Sequence, residues 1–378
     1  MKNSSMTAAI VKIAHLSSAH PPGDIRIFHK ECVSLAKHWN VYLVVPNCEN
    51  EISKGVEYVN VQKKGKGRLM RMISTTKAVY HKALELDADI YHIHDPELLP
   101  YALKLVRKGK KVIYDVHEDV PKQIMDKHWI PKLFRGVVSS LFKRYEHYVA
   151  ARLTGIISVT PIICERFRTV NEHVELVANY PLLEEGLESI QSEQDKVPRQ
   201  ICYIGGLFPT RGIKELVQAL EQADATLVLA GTFSPESFEA EVQQLPGWQK
   251  VNYLGQVGRT EIMNALSTSH LGVVTLHSTL SYVEALPIKL FEYMSAGIPV
   301  LASDFPMWRE IIDTVKCGVY ADPLNPTDIA KQIDYLLSNP DVSEEMGKNG
   351  FKAFHKTYNW SVEETKLIAF YQRICAAL

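Results

Sequence analysis

Two glutamates, Glu284 and Glu292, frame the segment EALPIKLFEYMSAGIPV, which reads as a loop running into a helix. Pro287 suits the first helical position, because its missing N–H would be unpaired there anyway. Gly297 suits the helix stop. The free N–H groups and positive partial charge of a helix N-terminus can hold a phosphate. Lys289, in the first turn, opposes that dipole unless an anion sits nearby. Glu292, one to two turns along, is placed to accept hydrogen bonds from a vicinal diol. On one continuous helix the two carboxylates would be rotated about 80° apart. With Glu284 on the loop, both can converge on one ligand. The plainer alternative is an amphipathic helix whose glutamates face solvent.

Three further segments carry chemistry. YIGGLFPTRGI, at 203–213, reads as strand, glycine loop and helix, a diphosphate cradle by geometry. It lacks the G-x-G-x-x-G order, so a dehydrogenase reading is weak. HPPGDIR, at 20–26, follows the first strand, where Gly23 would let backbone approach a phosphate closely. An ordinary turn is the rival reading there, for Asp24 above all. His92 and His94 in YHIHDP, and His117 in YDVHED, follow buried strands and should point at a cleft. H-x-H-D with another histidine is also a metal-ligand pattern, suited to zinc or a di-metal hydrolase. Two phosphate-cradling loops in the other half would then have no purpose.

Taken together, these motifs resemble the retaining glycosyltransferases of family 4. The likeness centres on their E-x7-E signature and runs from the His20–Asp24 loop to the C-terminal helix. It implies the GT-B fold: α/β, with two Rossmann-like parallel-sheet domains facing a central cleft. It places Glu284 on the transferred sugar and Glu292 on the nucleotide ribose. Arg211 stands at the family's lysine position, and Gly206 stands where the family has an arginine. One cation is therefore missing, and Arg211 with Lys289 must hold the donor diphosphate. Gly23 and Gly206 border the phosphates in this reading, and His117 contacts the reacting sugar. Asp24, His94 and Asp95 line the acceptor side. Ala285 and Pro287 replace family glycines, which removes a backbone donor and bears on the donor sugar's identity. The donor would be a UDP- or GDP-linked hexose-type sugar, and no metal or other cofactor is required. The acceptor would be a glycan or lipid-linked hydroxyl in cell-surface polysaccharide or glycolipid synthesis. Two other classes stay open: a metal-dependent hydrolase using His92, His94 and His117, and a non-catalytic sugar-nucleotide-binding module.

The elements that must position these residues alternate along the chain. Strands are expected at Ala8–Leu16, Asn40–Pro46, Val56–Val61, Ile90–Ile93, Lys111–Val116 and Gly155–Val159. Helices are expected at Ile27–His38, Leu69–Leu86, Glu97–Lys108 and Trp129–Val149. A polar stretch at 184–199 reads as a linker between a domain at 1–183 and one at 200–359. The alternation restarts with strands at Gln200–Ile204, Ala225–Leu229, Val251–Tyr253, Leu271–Leu276 and Pro299–Ala302. Helices are expected at Ile213–Gln222, Glu261–Ser267, Pro287–Ala296, Thr327–Leu337 and Val362–Ala376. A C-terminal helix at about 360–378 is expected to pack back on the first domain. Short apolar strands alternating with helices argue for parallel sheets covered on both faces.

Composition bounds the rest. At ~150 residues per domain, 378 residues make about two domains. With 46% hydrophobic and 22% charged residues, disorder is excluded. No apolar run approaches the ~18 residues of a membrane span, and Lys12 interrupts the only apolar stretch near the N-terminus. A cytoplasmic protein is therefore expected. The net charge of −1 hides an asymmetry: residues 1–180 are strongly basic and the remainder acidic. The basic material is KKGKGR at 63–68 and the helix around Trp129–Arg144, where Lys and Arg stand beside Leu and Phe. That mixture suits peripheral contact with the anionic inner face of a membrane. Nucleic acid is disfavoured, since no recognition motif accompanies the charge. None of the six cysteines forms a C-x-x-C pair.

Overall fold

The computed structural model describes residues 11–62, 67, 70–127, 130–185 and 196–376. The chain divides into two compact units, Met1–Asn179 with Glu363–Leu378, and Tyr180–Val362. Most of the KKGKGR stretch, Leu69 and Trp129 fall outside the described residues, as do Ala8–Ile10 and 186–195 of the polar stretch.

The first unit holds β1 (Lys12–Leu16), β2 (Asn40–Pro46), β3 (Ile52–Ser53), β4 (Val56–Val61), β5 (Ile90–Ile93), β6 (Lys111–Val116), β7 (Gly155–Ser158) and β8 (Val174–Leu176). Their order in the sheet is β3-β4-β2-β1-β5-β6-β7-β8. Every pairing is parallel except β3 with β4. The strands are near-continuous apolar runs because helices cover both faces. Each buried Val, Leu or Ile side chain contributes about 1.5–3 kcal/mol.

The order of assembly fixes where ligands go. The chain builds outward from β1 through β2 to β4, then restarts at β5 on the other side of β1. In open α/β sheets, the crevice beyond the carboxyl ends at such a reversal is the ligand site. The loop after β1 and the residues after β5, His94 and Asp95, lie there. The second unit repeats the plan with β9 (Gln200–Ile204), β10 (Thr226–Ala230), β11 (Val251–Gly255), β12 (Leu271–Val274), β13 (Val300–Ser303) and β14 (Gly318–Ala321), ordered β11-β10-β9-β12-β13-β14. Its reversal falls between β9 and β12, so the glycine loop after β9 lies at the corresponding place.

Several elements differ from the sequence reading. β3, β8 and β14 were not anticipated, nor were helices Val120–Asp126, Pro161–Arg168, Glu236–Gln243, Pro306–Val315 and Pro340–Lys356. The helix expected at Ile27–His38 begins at Ile25 as a wide coil, with His29 N–H reaching back to Asp24 O at 3.3 Å. The helix expected to open on Pro287 spans Ile288–Ser295, and Pro287 is its extended N-cap. The helix expected at Trp129–Val149 spans Lys132–Ala150.

The chain passes between units at Asn179/Tyr180 and at Val362/Glu363. Tyr180 belongs to the second unit because its ring packs edge-on against Phe291 and Tyr358. The last helix, Trp360–Cys375, fastens to the first unit through side chains. Glu363 accepts from Ala178 N–H at 2.7 Å, and Tyr371 Oη lies 2.7 Å from His92 Nδ1.

Candidate active site

In the second unit, two cations converge on one glycine. Gly205 follows β9 with φ +126°, a conformation that other residues rarely adopt. A methyl group there would sit 3.1 Å from Lys289 Nζ and 3.9 Å from an Arg211 guanidinium nitrogen. Arg211 ends the short turn Pro209–Arg211, which Gly212 closes at φ +70°. Lys289 reaches the same point from the first turn of helix Ile288–Ser295, and its ammonium lies 3.2 Å from Tyr203 Oη. Among the described residues, neither cation is ion-paired with a carboxylate. Burial and the charge of Arg211 bring Lys289 down to about 7. Arg211 Nε is buried without a hydrogen-bond partner among the described residues. A buried ammonium beside a guanidinium is an arrangement that an anion stabilises.

Glu292, Glu284 and Gly206, expected on the donor side, lie on the same two chain segments. Glu292 is half-buried one turn beyond Lys289, with Arg259 3.7 Å from its carboxylate. Glu284 lies in the turn before the helix, as its spacing requires, and is half-buried. That turn is tied down by Trp308 Nε1 donating to Ala285 O at 2.6 Å. Gly206 adjoins Gly205, and a side chain there would strike the Phe208 ring.

In the first unit, the residues after β1, β5 and β6 form a dense polar network. Asp95 is buried and organises the β1 loop. Its Oδ2 accepts from Ser18 N–H at 2.6 Å, Ala19 N–H at 3.2 Å and the Ser17 and Ser18 hydroxyls at 3.1 Å. Its Oδ1 lies 3.0 Å from His20 Nδ1. Burial opposes ionisation of Asp95, yet His20 and these donors hold it down to about 2. Burial likewise disfavours charge on His20, but Asp95 outweighs it and raises the imidazole. His117 Nε2 lies 2.7 Å from Asp115 Oδ2. Asp115 in turn takes both arms of the Arg26 guanidinium, at 2.9 and 2.8 Å. Arg26 therefore fixes Asp115, and Asp115 fixes the His117 ring.

Some expectations need correction here. Of the three histidines thought to face a cleft, His117 alone retains exposure, at 19% of its side chain. His92 is fully buried inside β5, and His94 is buried beneath His117. Burial brings His94 down to about 4, against the opposing pull of Asp115. His94 and Asp95 consequently shape the site from beneath instead of lining it. Asp24 spends its Oδ1 on Ile27 N–H at 2.9 Å, capping the helix that carries Arg26. Gly23 is exposed, and a side chain there would meet nothing within 4 Å. The sequence reading missed His20, Arg26, Asp115, Tyr203 and Arg259. Asp115 was legible in YDVHED, because i, i+2 residues at a strand end share a face.

Comparison with known proteins gives the family. The family model for "Glycosyltransferase Family 4" matches residues 28–179, and that for "Glycosyl transferases group 1" matches residues 187–353. The chain belongs to this glycosyltransferase family and has its GT-B fold. Among similar proteins is D-rhamnosyltransferase WbpZ of Pseudomonas aeruginosa, 24% identical over 76% of this chain and 73% of that protein. An uncharacterized glycosyltransferase of Methanocaldococcus jannaschii is 29% identical, over 43% of this chain and 42% of its own length. Sucrose-phosphate synthase from Thermosynechococcus elongatus superposes with a TM-score of 0.79 at 17% identity, covering 97% of this chain and 100% of that one.

Proposed function

We propose that this chain is a retaining glycosyltransferase that moves a hexose-type sugar from a UDP- or GDP-linked donor to a glycan or lipid-linked hydroxyl. The convergence of Arg211 and Lys289 on Gly205, with no carboxylate among the described residues paired to either, carries the reading. As the bond from the anomeric carbon to the diphosphate breaks, charge grows on the leaving oxygens. Two cations held in place beforehand stabilise that charge without reorganising. Glu292 accepts from the ribose hydroxyls, and Glu284 from the transferred sugar. Gly206 gives the diphosphate room. A structure in this fold, HepE of Anabaena, is described in complex with UDP and glucose; it is 14% identical with a TM-score of 0.72, covering 96% of this chain and 100% of that one.

The first unit supplies the acceptor side. His117, oriented by Asp115, contacts the reacting sugar or the incoming hydroxyl. Gly23 leaves backbone open to close approach, and Asp24 and Asp95 hold the loop that carries it. Helix Lys132–Ala150 supports a peripheral membrane location. Leu133, Phe134, Val137 and Leu141 are 57–84% exposed on it, beside Lys132, Lys143 and Arg144. Met72 and Ile73 are also exposed, next to Arg71. Exposed apolar side chains among bases fit an anionic lipid surface. No helix among the described residues is long and apolar enough to cross a membrane. We place the reaction in cell-surface polysaccharide or glycolipid synthesis on the inner membrane face.

Calorimetry with UDP- and GDP-sugars tests the donor assignment. One nucleotide sugar should bind per chain, and Arg211→Ala should weaken it at least tenfold. Glu292→Ala should abolish the preference for a ribonucleotide over its 2′,3′-dideoxy analogue. Unchanged affinity in Arg211→Ala, or a ribose preference that survives in Glu292→Ala, would refute the assignment.

A further inference from the structure

A second constellation lies under the acceptor-side network, and the transfer reaction uses almost none of it. His15 on β1 stands opposite His92 on β5 in the sheet register. His94, two residues on, shares the His92 face. The three rings cluster, with centroids 4.6 Å apart for His15–His92, 4.6 Å for His92–His94 and 5.1 Å for His15–His94. Glu31, on the helical stretch Ile25–Cys32, packs against them. All four side chains are buried, and each offers a ligand atom within 4.8 Å of the others.

The outer contacts of this cluster are already made. His94 Nδ1 faces Asp115 at 3.3 Å, which leaves its Nε2 2.9 Å from His15 Nδ1. His92 Nδ1 is held by Tyr371 Oη at 2.7 Å. Glu31 Oε1 lies 3.0 Å from Arg26, while Oε2 lies on the histidine side, 3.9 Å from His92 Nδ1. A ring nitrogen fixed by a hydroxyl or carboxylate is the usual support of a metal-bound histidine. What remains is unsatisfied: among the described residues, His15 Nε2, His92 Nε2 and Glu31 Oε2 lack a hydrogen-bond partner. A buried polar group left this way costs about 1–3 kcal/mol.

Charge points the same way. Arg26 is neutralised by Asp115, so an ionised Glu31 leaves this interior one negative charge in excess. A cation held between the three imidazoles and Glu31 would offset that excess.

We propose that His15, His92, His94 and Glu31 form a closed site for one divalent first-row transition metal ion, with zinc the best match to its donors. Three imidazoles and a carboxylate suit zinc, and their ligand atoms, all within 4.8 Å of one another, would draw in to the about 3.3 Å that tetrahedral bonds of about 2.0–2.1 Å set. Four protein ligands and no solvent-facing position make the ion structural. It would clamp β1, β5, the Ile25–Cys32 stretch and, through Tyr371, the C-terminal helix. The neighbouring set His94, Asp115 and His117 is the poorer site, since a guanidinium already takes both Asp115 oxygens.

The test uses the full chain, purified without an affinity histidine tag or chelator. Elemental analysis should find about one zinc per chain. Metal-stripped protein should take up one Co(II) with the visible absorption of a four-coordinate ion, and zinc should displace it. His15→Gln and His92→Gln should weaken Co(II) binding more than 100-fold, and Tyr371→Phe about tenfold. His117→Gln should bind Co(II) as wild type does. A folded wild-type chain that takes up no Co(II) or zinc stoichiometrically overturns the proposal, whether or not the variants fold. So does undiminished uptake by His15→Gln or His92→Gln, or loss of uptake in His117→Gln.

Discussion

Donor binding should carry a proton with it, and the slope should come from one lysine. Burial and Arg211 lower Lys289 to about 7 in the empty protein. A diphosphate placed against its ammonium reverses that effect, so the bound lysine regains a high value. Where the bound value exceeds the free one, binding takes up a proton and affinity falls as pH rises above the free value. With a free value of about 7, roughly 90% of the empty protein has the ammonium at pH 6 and roughly 3% at pH 8.5. Donor affinity should therefore drop about thirtyfold over that interval, or about 2 kcal/mol. An intact nucleotide sugar has no phosphate ionisation in this range, so the slope belongs to the protein. Calorimetry in two buffers of different ionisation enthalpy should report close to one proton taken up at pH 8. Lys289→Met should flatten the profile at the weak, high-pH affinity. A wild-type affinity constant from pH 6 to 8.5, or an unchanged slope in Lys289→Met, would refute the placement of the diphosphate.

The Gly205–Lys289 part of the candidate site was more legible in the sequence than the His117–Asp115 network, for a physical reason. A phosphate cradle depends on local order: strand end, glycine, helix entry. Such order is written contiguously, so Gly205, Gly206, Arg211 and the Pro287–Gly297 segment could be read in place. The proximity of Arg211 and Lys289 spans 78 positions and needed the β9/β12 reversal to become visible. The acceptor-side network joins β1, β5, β6 and the Ile25–Cys32 stretch, and its histidines owe their state to burial. A motif such as HIHD cannot state which of its side chains faces solvent. It showed His94 and Asp95 as chemistry, whereas packing makes them supports. Missed helices had a simpler cause. Pro161, Pro306 and Pro340 each open a helix at the first position, where their missing N–H is harmless. They read as loop residues when weighed one at a time.

Three further outcomes follow from particular contacts. Gly212→Ala should destabilise the protein by about 2–4 kcal/mol in urea melts, because its Cβ would overlap Thr275 O and its φ is +70°. Leu133→Asp with Leu141→Asp should leave the melting temperature within a degree or two but remove sedimentation with anionic vesicles, since both side chains are exposed. Asp115→Asn should separate positioning from binding. The amide keeps the side-chain volume but loses the charge that holds His117 and Arg26. Glu31 stands 3.0 Å from Arg26 and remains a carboxylate partner for it, so the loss should stay below the about 3–5 kcal/mol of a broken buried pair. The His117 ring, freed from its 2.7 Å contact, should cost about 10- to 100-fold in kcat while the donor KM holds. A merely structural role predicts the reverse: lower stability, with kcat per folded molecule unchanged. That second pattern would remove His117 from the reacting centre and leave the lysine–arginine pair as the only part of the site acting on charge.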